Sequence, residues 1–153
     1  PGRGNWFENH GVRILVDFAH NEHGMNALAT MLQQVPAQRR VLLMGQAGDR
    51  PDRDIELMTT AACAMNPDHL MACELPGYER GRPPGEVPGI ISRAARAAGV
   101  AEEGVQMFGS PVEAAREALH DAQPGDLLVF LALSQRQEVL NLVHRFIGGA
   151  TTD

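Results

Sequence analysis

Three clusters of residues carry the types that do chemistry. Asp17, His20 and Asn21 fall within residues 12–25, V-R-I-L-V-D-F-A-H-N-E-H-G-M. Asp49 and Arg50 end the glycine-bearing stretch G-Q-A-G-D-R. Glu74, Glu79, Arg80 and Arg82 lie in and just before P-G-Y-E-R-G-R-P-P-G-E at 76–86. A carboxylate accepts from hydroxyl groups. An imidazole just past a strand, at the mouth of a helix, suits phosphate or a nucleotide. Arginines framed by glycine and proline present planar forks for carboxylate or phosphate.

Each of these residues also has a plainer reading. Asp17 can serve a helix dipole and Asn21 an N-cap, and Asp49 can cap the helix that follows it. Arg50 and Arg53 can be solvated charges, which is the better reading for Arg53, and Arg80 and Arg82 can belong to a surface loop. G-x-x-G at 45–48 is neither a dinucleotide fingerprint nor a Walker loop, because G-K-[ST] is absent. Arg3, between Gly2 and Gly4, says nothing alone.

Composition removes several classes. All 13 basic residues are arginine, so this segment holds no P-loop lysine and no Schiff-base lysine. The net charge of −6 demotes a free-standing nucleic-acid binder, which would show a basic face. Cys63 and Cys73 have no metal-ligand spacing and read as reduced core thiols of a cytoplasmic protein. No apolar run reaches the ~18 residues of a membrane span, and no signal peptide opens the chain. The start at Pro1-Gly2-Arg3, without methionine, reads as a cut from something longer.

The clusters need elements to hold them. Residues 6–10 read as a short strand, and the turn Asn9-His10-Gly11 feeds a second one over 12–18, so the pair is antiparallel. Met25, Leu28, Leu32 and Val35 recur at helical spacing up to Pro36. A strand at 41–44 precedes a helix carrying Ile55, Met58, Ala62 and Met65, and a weaker strand spans 69–74. A helix over 87–98 ends at Gly99, a C′ glycine. After a strand at 105–108, Ser110-Pro-Val-Glu113 forms a capping box. An apolar strand spans 126–133. Ser134 with Gln137 caps the last helix, which Val139, Val143 and Phe146 line.

With 44% apolar and 5% aromatic residues, the composition suits aliphatic α/β packing. The expected fold is α/β: a doubly wound, mostly parallel (Rossmann-like) sheet of about six strands with an antiparallel N-terminal strand. Residues 1–153 make one domain, with 148–153 a loose tail. Right-handed crossovers then bring Asp17/His20, Asp49/Arg50, residues 74–82 and Ser134 to one sheet edge. From spacing alone this is an α/β domain with an anionic-ligand edge.

The ordered motifs P-G-R at 1–3, V-D-F-A-H-N at 16–21 and G-D-R-x-D at 48–52 resemble the C-terminal domain of the Mur ligase family. That family includes peptidoglycan amino-acid ligases, folylpolyglutamate synthetase and the third part of cyanophycin synthetase. The resemblance spans essentially the whole chain, with 1–5 as the interdomain linker, and Y-E-R-G-R-P-P-G-E at 78–86 looks most like cyanophycin synthetase. It implies an ATP-dependent, ADP-forming ligase in which a central P-loop ATPase domain of the same polypeptide binds ATP and most of the Mg2+. An acyl phosphate forms and an amine attacks it. The C-terminal domain completes the nucleotide pocket and seats the amino acid, and is inactive in isolation.

By motif, Arg3 and Asp17 contact the adenosine end, Asp17 at the ribose hydroxyls, and His20 and Asn21 face the nucleotide near its phosphates. Asp49 and Arg50 lie at the domain interface. Glu74, Arg80 and Arg82 meet the amino-acid substrate, arginine if the cyanophycin likeness holds, with Glu74 or Glu79 at its guanidinium. Two departures stand out: Glu22 occupies the usual proline position, and Glu74-Leu-Pro-Gly replaces the D-N-P-R of lysine- or diaminopimelate-adding ligases. A peptidoglycan- or folate-type ligase domain and a non-catalytic nucleotide-binding module are the alternatives. No nucleic-acid or membrane partner is expected.

Overall fold

Residues 4–148 are described by a computed structural model. Strand β1 (Asn5–Asn9) turns through His10 and Gly11, both at positive φ, into β2 (Val12–Asp17), and the two pair antiparallel. Helix α1 (Glu22–Gln33) leads to β3 (Arg39–Gly45), α2 (Asp52–Cys63) to β4 (His69–Cys73), and α3 (Glu86–Ala97) to β5 (Val105–Phe108). A single 3-10 turn, Glu102–Gly104, precedes β5. Helix α4 (Pro111–His120) then returns the chain to β6 (Asp126–Leu131), and α5 (Arg136–Ile147) follows.

The six strands stand in the order β1-β2-β6-β3-β4-β5. β6 inserts between β2 and β3 and pairs parallel with both, as the all-buried sequence D-L-L-V-F-L requires. Alternation along the strands divides the apolar residues between two cores. Leu15, Leu42, Leu70 and Val129 face α1, α2 and α3; Ile14, Leu43, Met71 and Phe130 face α4 and α5. This is the expected doubly wound sheet with one antiparallel strand.

Element boundaries moved slightly from the sequence reading. α1 begins at Glu22, three residues before Met25, because Asn21 caps it. Met65 is fully buried yet lies past the end of α2. Gly99 takes φ 104, as a C′ glycine should. The Ser110 hydroxyl accepts from the Glu113 amide at 3.2 Å, so the serine half of the α4 capping box forms. The α5 cap does not. Its N-cap is Gln135, in the left-handed region at φ 56, and the Ser134 hydroxyl is buried without a hydrogen-bond partner. Gln135 uses its side-chain oxygen on the Val112 amide instead, tying α5 to α4.

The switch point follows from the strand order. The chain leaves β2 and β3 toward one face and leaves β6, between them, toward the other. Ligands of open α/β sheets bind in the crevice that such diverging loops leave at the strand carboxyl ends. Register places Asp17 beside Leu131, Leu131 beside Met44, and Gly45 beside Cys73. All three functional clusters therefore leave the sheet at one edge.

Candidate functional site

Asp17 closes β2 with its side chain turned back on the chain. One carboxylate oxygen accepts from the Gly4 amide and the other from the Ala19 amide, each at 2.9 Å. Asp17 is only 7% exposed, so these bonds fix both Gly4, just before β1, and the loop leaving β2. Each oxygen keeps acceptor capacity for a further donor. His20 is exposed, and its Nδ1 lies 3.3 Å from the Phe18 carbonyl. A carbonyl only accepts, so this contact is a hydrogen bond when Nδ1 carries the proton. Asn21 caps α1, its side-chain oxygen accepting from the Gly24 amide at 2.7 Å, which leaves its NH2 group for a ligand. Arg3 lies outside the described residues.

The second cluster is a turn at Ala47–Arg50, and it does not cap α2. The N-cap of that helix is Pro51, without a side-chain bond, and Asp49 is exposed. Arg50 reaches across to the first cluster, donating to the His20 carbonyl at 2.6 Å. Gly48 is buried against the third cluster. Its amide donates to the Tyr78 carbonyl at 2.9 Å, and a Cβ at this position would stand 1.9 Å from the Glu79 carbonyl oxygen. The glycine is there for close approach.

Within the third cluster the arginines divide. Arg82 turns inward: Nε donates to the Gly48 carbonyl at 3.0 Å and Nη2 to the Arg50 carbonyl at 2.7 Å. Its Nη1 bridges Asp52 at 2.7 Å and Glu86 at 2.8 Å, and these two carboxylates raise its pKa. Arg80, in the left-handed region at φ 53, turns outward over the Tyr78 ring at 5.1 Å and donates to the Gly77 carbonyl. Glu74 accepts the Gly85 amide on Oε2, and Glu79 accepts the Gly77 amide on Oε1, so each retains one free carboxylate oxygen.

A cleft of about 430 Å3 opens between this loop and the start of α5, lined by Pro76, Tyr78, Ser134, Arg136 and Glu138. Arg136 also stacks on Phe18 at 4.4 Å, joining the α5 start to the loop after β2. A second cavity of about 210 Å3 lies at the amino ends of β3 and β4, beside Arg39 and His69, away from every cluster. There Arg39 holds Asp126 in a partly buried bridge of 2.6 Å, a framework contact.

Among the described residues, two buried polar atoms at the carboxyl edge lack partners, Gln46 Oε1 and Ser134 Oγ, just past neighbouring strands β3 and β6. Buried polar groups are ordinarily paired, so such atoms mark a place completed by water or by another molecule. Gln46 carries no motif of its own. Only its position just past a strand end hints at it. The inward turn of Arg82 and the close contact at Gly48 had no local signal, since both depend on a loop about 30 residues away. The cysteines are buried; burial pushes the Cys63 thiol up to about 11 and Cys73 higher, so neither is a poised nucleophile. Among the described residues, no three His, Cys, Asp or Glu side chains gather around a metal position.

The sequence of residues 2–132 matches the family model described as Mur ligase, glutamate ligase domain. The chain belongs to that family. This Mur ligase C-terminal domain is 27% identical over 118 residues to the UDP-N-acetylmuramoyl-L-alanyl-D-glutamate–L-lysine ligase of Staphylococcus epidermidis, covering 77% of this chain and 22% of that protein. Its fold superposes on E. coli FolC in complex with ADP with a TM-score of 0.71 at 21% identity, over 94% of this chain and 31% of that one. A structure of UDP-N-acetylmuramoyl-L-alanyl-D-glutamate–2,6-diaminopimelate ligase matches at a TM-score of 0.70 and 20% identity, over 97% of this chain and 32% of that one. The chain thus spans about a fifth of the curated relatives it matches and about a third of these solved chains. No helix among the described residues is long and apolar enough to cross a membrane.

Proposed function

We propose that this Mur ligase domain completes the nucleotide site and seats the amino acid in an ATP-dependent, ADP-forming carboxylate–amine ligase of the cyanophycin synthetase type. One observation carries the reading: the loops after β2, β3 and β4 are joined at one sheet edge by Arg50 and Arg82. That edge is where an α/β sheet binds ligands. The S. epidermidis relative joins lysine by name, and the FolC structure is an ADP complex.

In this mechanism ATP phosphorylates the substrate carboxylate, giving ADP and an acyl phosphate. The amine attacks the acyl carbon, the C–O bond to phosphate breaks, and an amide and phosphate leave. The central P-loop domain grips the phosphates and, with them, Mg2+. This domain closes over the site and excludes water that would hydrolyse the acyl phosphate. Arg3 and Asp17 meet the adenosine end, Asp17 accepting from ribose hydroxyls with its remaining lone pairs. The His20 ring and the Asn21 NH2 group face the phosphates. Asp49 and Arg50 meet the central domain.

The amine site lies along the loop at 74–82, next to the cleft at Tyr78. Arg80 takes the carboxylate of the incoming amino acid. The free oxygens of Glu74 and Glu79 suit a guanidinium, which favours arginine, while Arg82 holds the loop that carries them. Glu74-Leu-Pro-Gly after β4 stands where lysine- and diaminopimelate-adding ligases carry D-N-P-R, which argues against that role. The test is an amine panel with the full-length protein. Arginine-dependent ADP release, with a raised arginine KM in Glu74→Ala, supports the cyanophycin-type reading. Release driven by lysine, diaminopimelate or glutamate overturns it in favour of a peptidoglycan- or folate-type ligase. A native reading frame without a P-loop domain upstream of Pro1 removes the catalytic claim and leaves a nucleotide-binding module.

A further inference from the structure

The loop at 76–86 is held by contacts that reach beyond its own segment. The Gly48 amide meets the Tyr78 carbonyl, and the absent Cβ of Gly48 leaves room for the Glu79 carbonyl. The Arg82 guanidinium ties this contact to its surroundings: Nε meets the Gly48 carbonyl, Nη2 the Arg50 carbonyl, and Nη1 both Asp52 and Glu86. Four hydrogen bonds take four of its five N–H donors. Little of the fork remains for a substrate. The connection continues, since Arg50, whose carbonyl Arg82 holds, sends its own guanidinium to the His20 carbonyl.

We propose that Arg82 is a positioning residue that couples the amine-seating loop at 76–86 to the nucleotide-facing loops after β3 and β2, so that the three move as one unit. The consequence rests on the ligase reading above: a displacement of the His20 loop by nucleotide or by domain closure is passed through Arg50 and Arg82 to Arg80 and Glu74. Planarity is essential to the role. A guanidinium can hold two carbonyls and two carboxylates in one plane, whereas a lysine ammonium is a point charge with three donors.

The experiment uses the full-length protein with Arg82→Gln, Arg82→Lys and the milder Asp52→Asn and Glu86→Gln, each of which replaces one charged acceptor. Hydrogen–deuterium exchange is followed peptide by peptide, and steady-state kinetics are run beside it. In Arg82→Gln, exchange is expected to speed up over 46–50, 76–86 and 19–21 while the sheet stays protected. The kcat/KM for the amine is expected to fall on the order of 100-fold. Arg82→Lys should recover little, and the two acceptor variants should fall between. Exchange unchanged in all three segments overturns the coupling. A raised amine KM with unchanged exchange overturns it too, assigning Arg82 to direct substrate contact. Loosened loops with an unchanged amine KM overturn the link to amine seating. If no amine supports turnover, the ligase reading fails, and the exchange pattern still decides whether Arg82 couples the loops. Should Arg82→Gln fail to fold, Asp52→Asn and Glu86→Gln decide by the same exchange and KM criteria.

Discussion

At the scale of single residues, Asp17 has two duties that experiment can separate. Its carboxylate satisfies the Gly4 and Ala19 amides in a nearly buried position. Asp17→Ala should therefore lower stability by about 1–3 kcal/mol, read from the denaturant midpoint. Stability unchanged within error would show that water replaces both bonds. Gly48 is a sharper case. Its φ needs no glycine, but the Glu79 carbonyl occupies the space of a Cβ, so Gly48→Ala should cost about 1–3 kcal/mol by forcing the loop away. A crystal structure of that variant with the loop unmoved would refute the packing argument. The thiols give a pH dependence. Burial raises Cys63 from its ordinary 9.0 to about 11, so the folded chain keeps a proton that the unfolded chain loses first. Its contribution is complete below 9.0 and declines as pH rises toward about 11. Denaturation at pH 8 and pH 10.5 checks the sign, and Cys63→Ala should flatten the slope.

At the scale of elements, the N-caps test which local signals count. Asn21→Ala should cost about 1 kcal/mol through loss of the Gly24 bond, while Asn21→Ser keeps a capping oxygen and should retain most of the stability. If the Asn21 amide also faces the phosphates, the serine variant keeps stability but raises the ATP KM; equal ATP kinetics would confine Asn21 to capping. Elements written in local chemistry were legible. The Asn9-His10-Gly11 turn, the Ser110 cap, Gly99 and the apolar run of β6 after Asp126 are legible because a few adjacent residues determine them. The start of α5 was misread because Ser134 and Gln137 have the spacing of a cap, yet Gln135 is drawn to the Val112 amide of α4. Likewise Asp49 looks like a cap for α2, but proline at 51 starts that helix without one. In both places a contact or turn outside the motif decides.

At the scale of the whole molecule, the strand order brings the clusters together. The alternation of strands and helices foretold that polar residues after β2, β3 and β4 share an edge, and that part of the site was readable. The arginine links between the loops were not, because Arg82 and Gly48 are neighbours only after β3 and β4 have paired. The chain has no lysine, so in the proposed ligase a P-loop lysine comes from another domain. The most direct measurement is therefore steady-state ADP release by the full-length protein with arginine as amine, comparing wild type with Asp17→Ala across ATP concentration. The expected result is amine-dependent ADP formation, with the ATP KM raised on the order of ten-fold or more in the variant, as for a lost hydrogen bond to a charged group. Formation of AMP instead of ADP, or an ATP KM that Asp17→Ala leaves unchanged, would contradict the assignment of this sheet edge to the nucleotide.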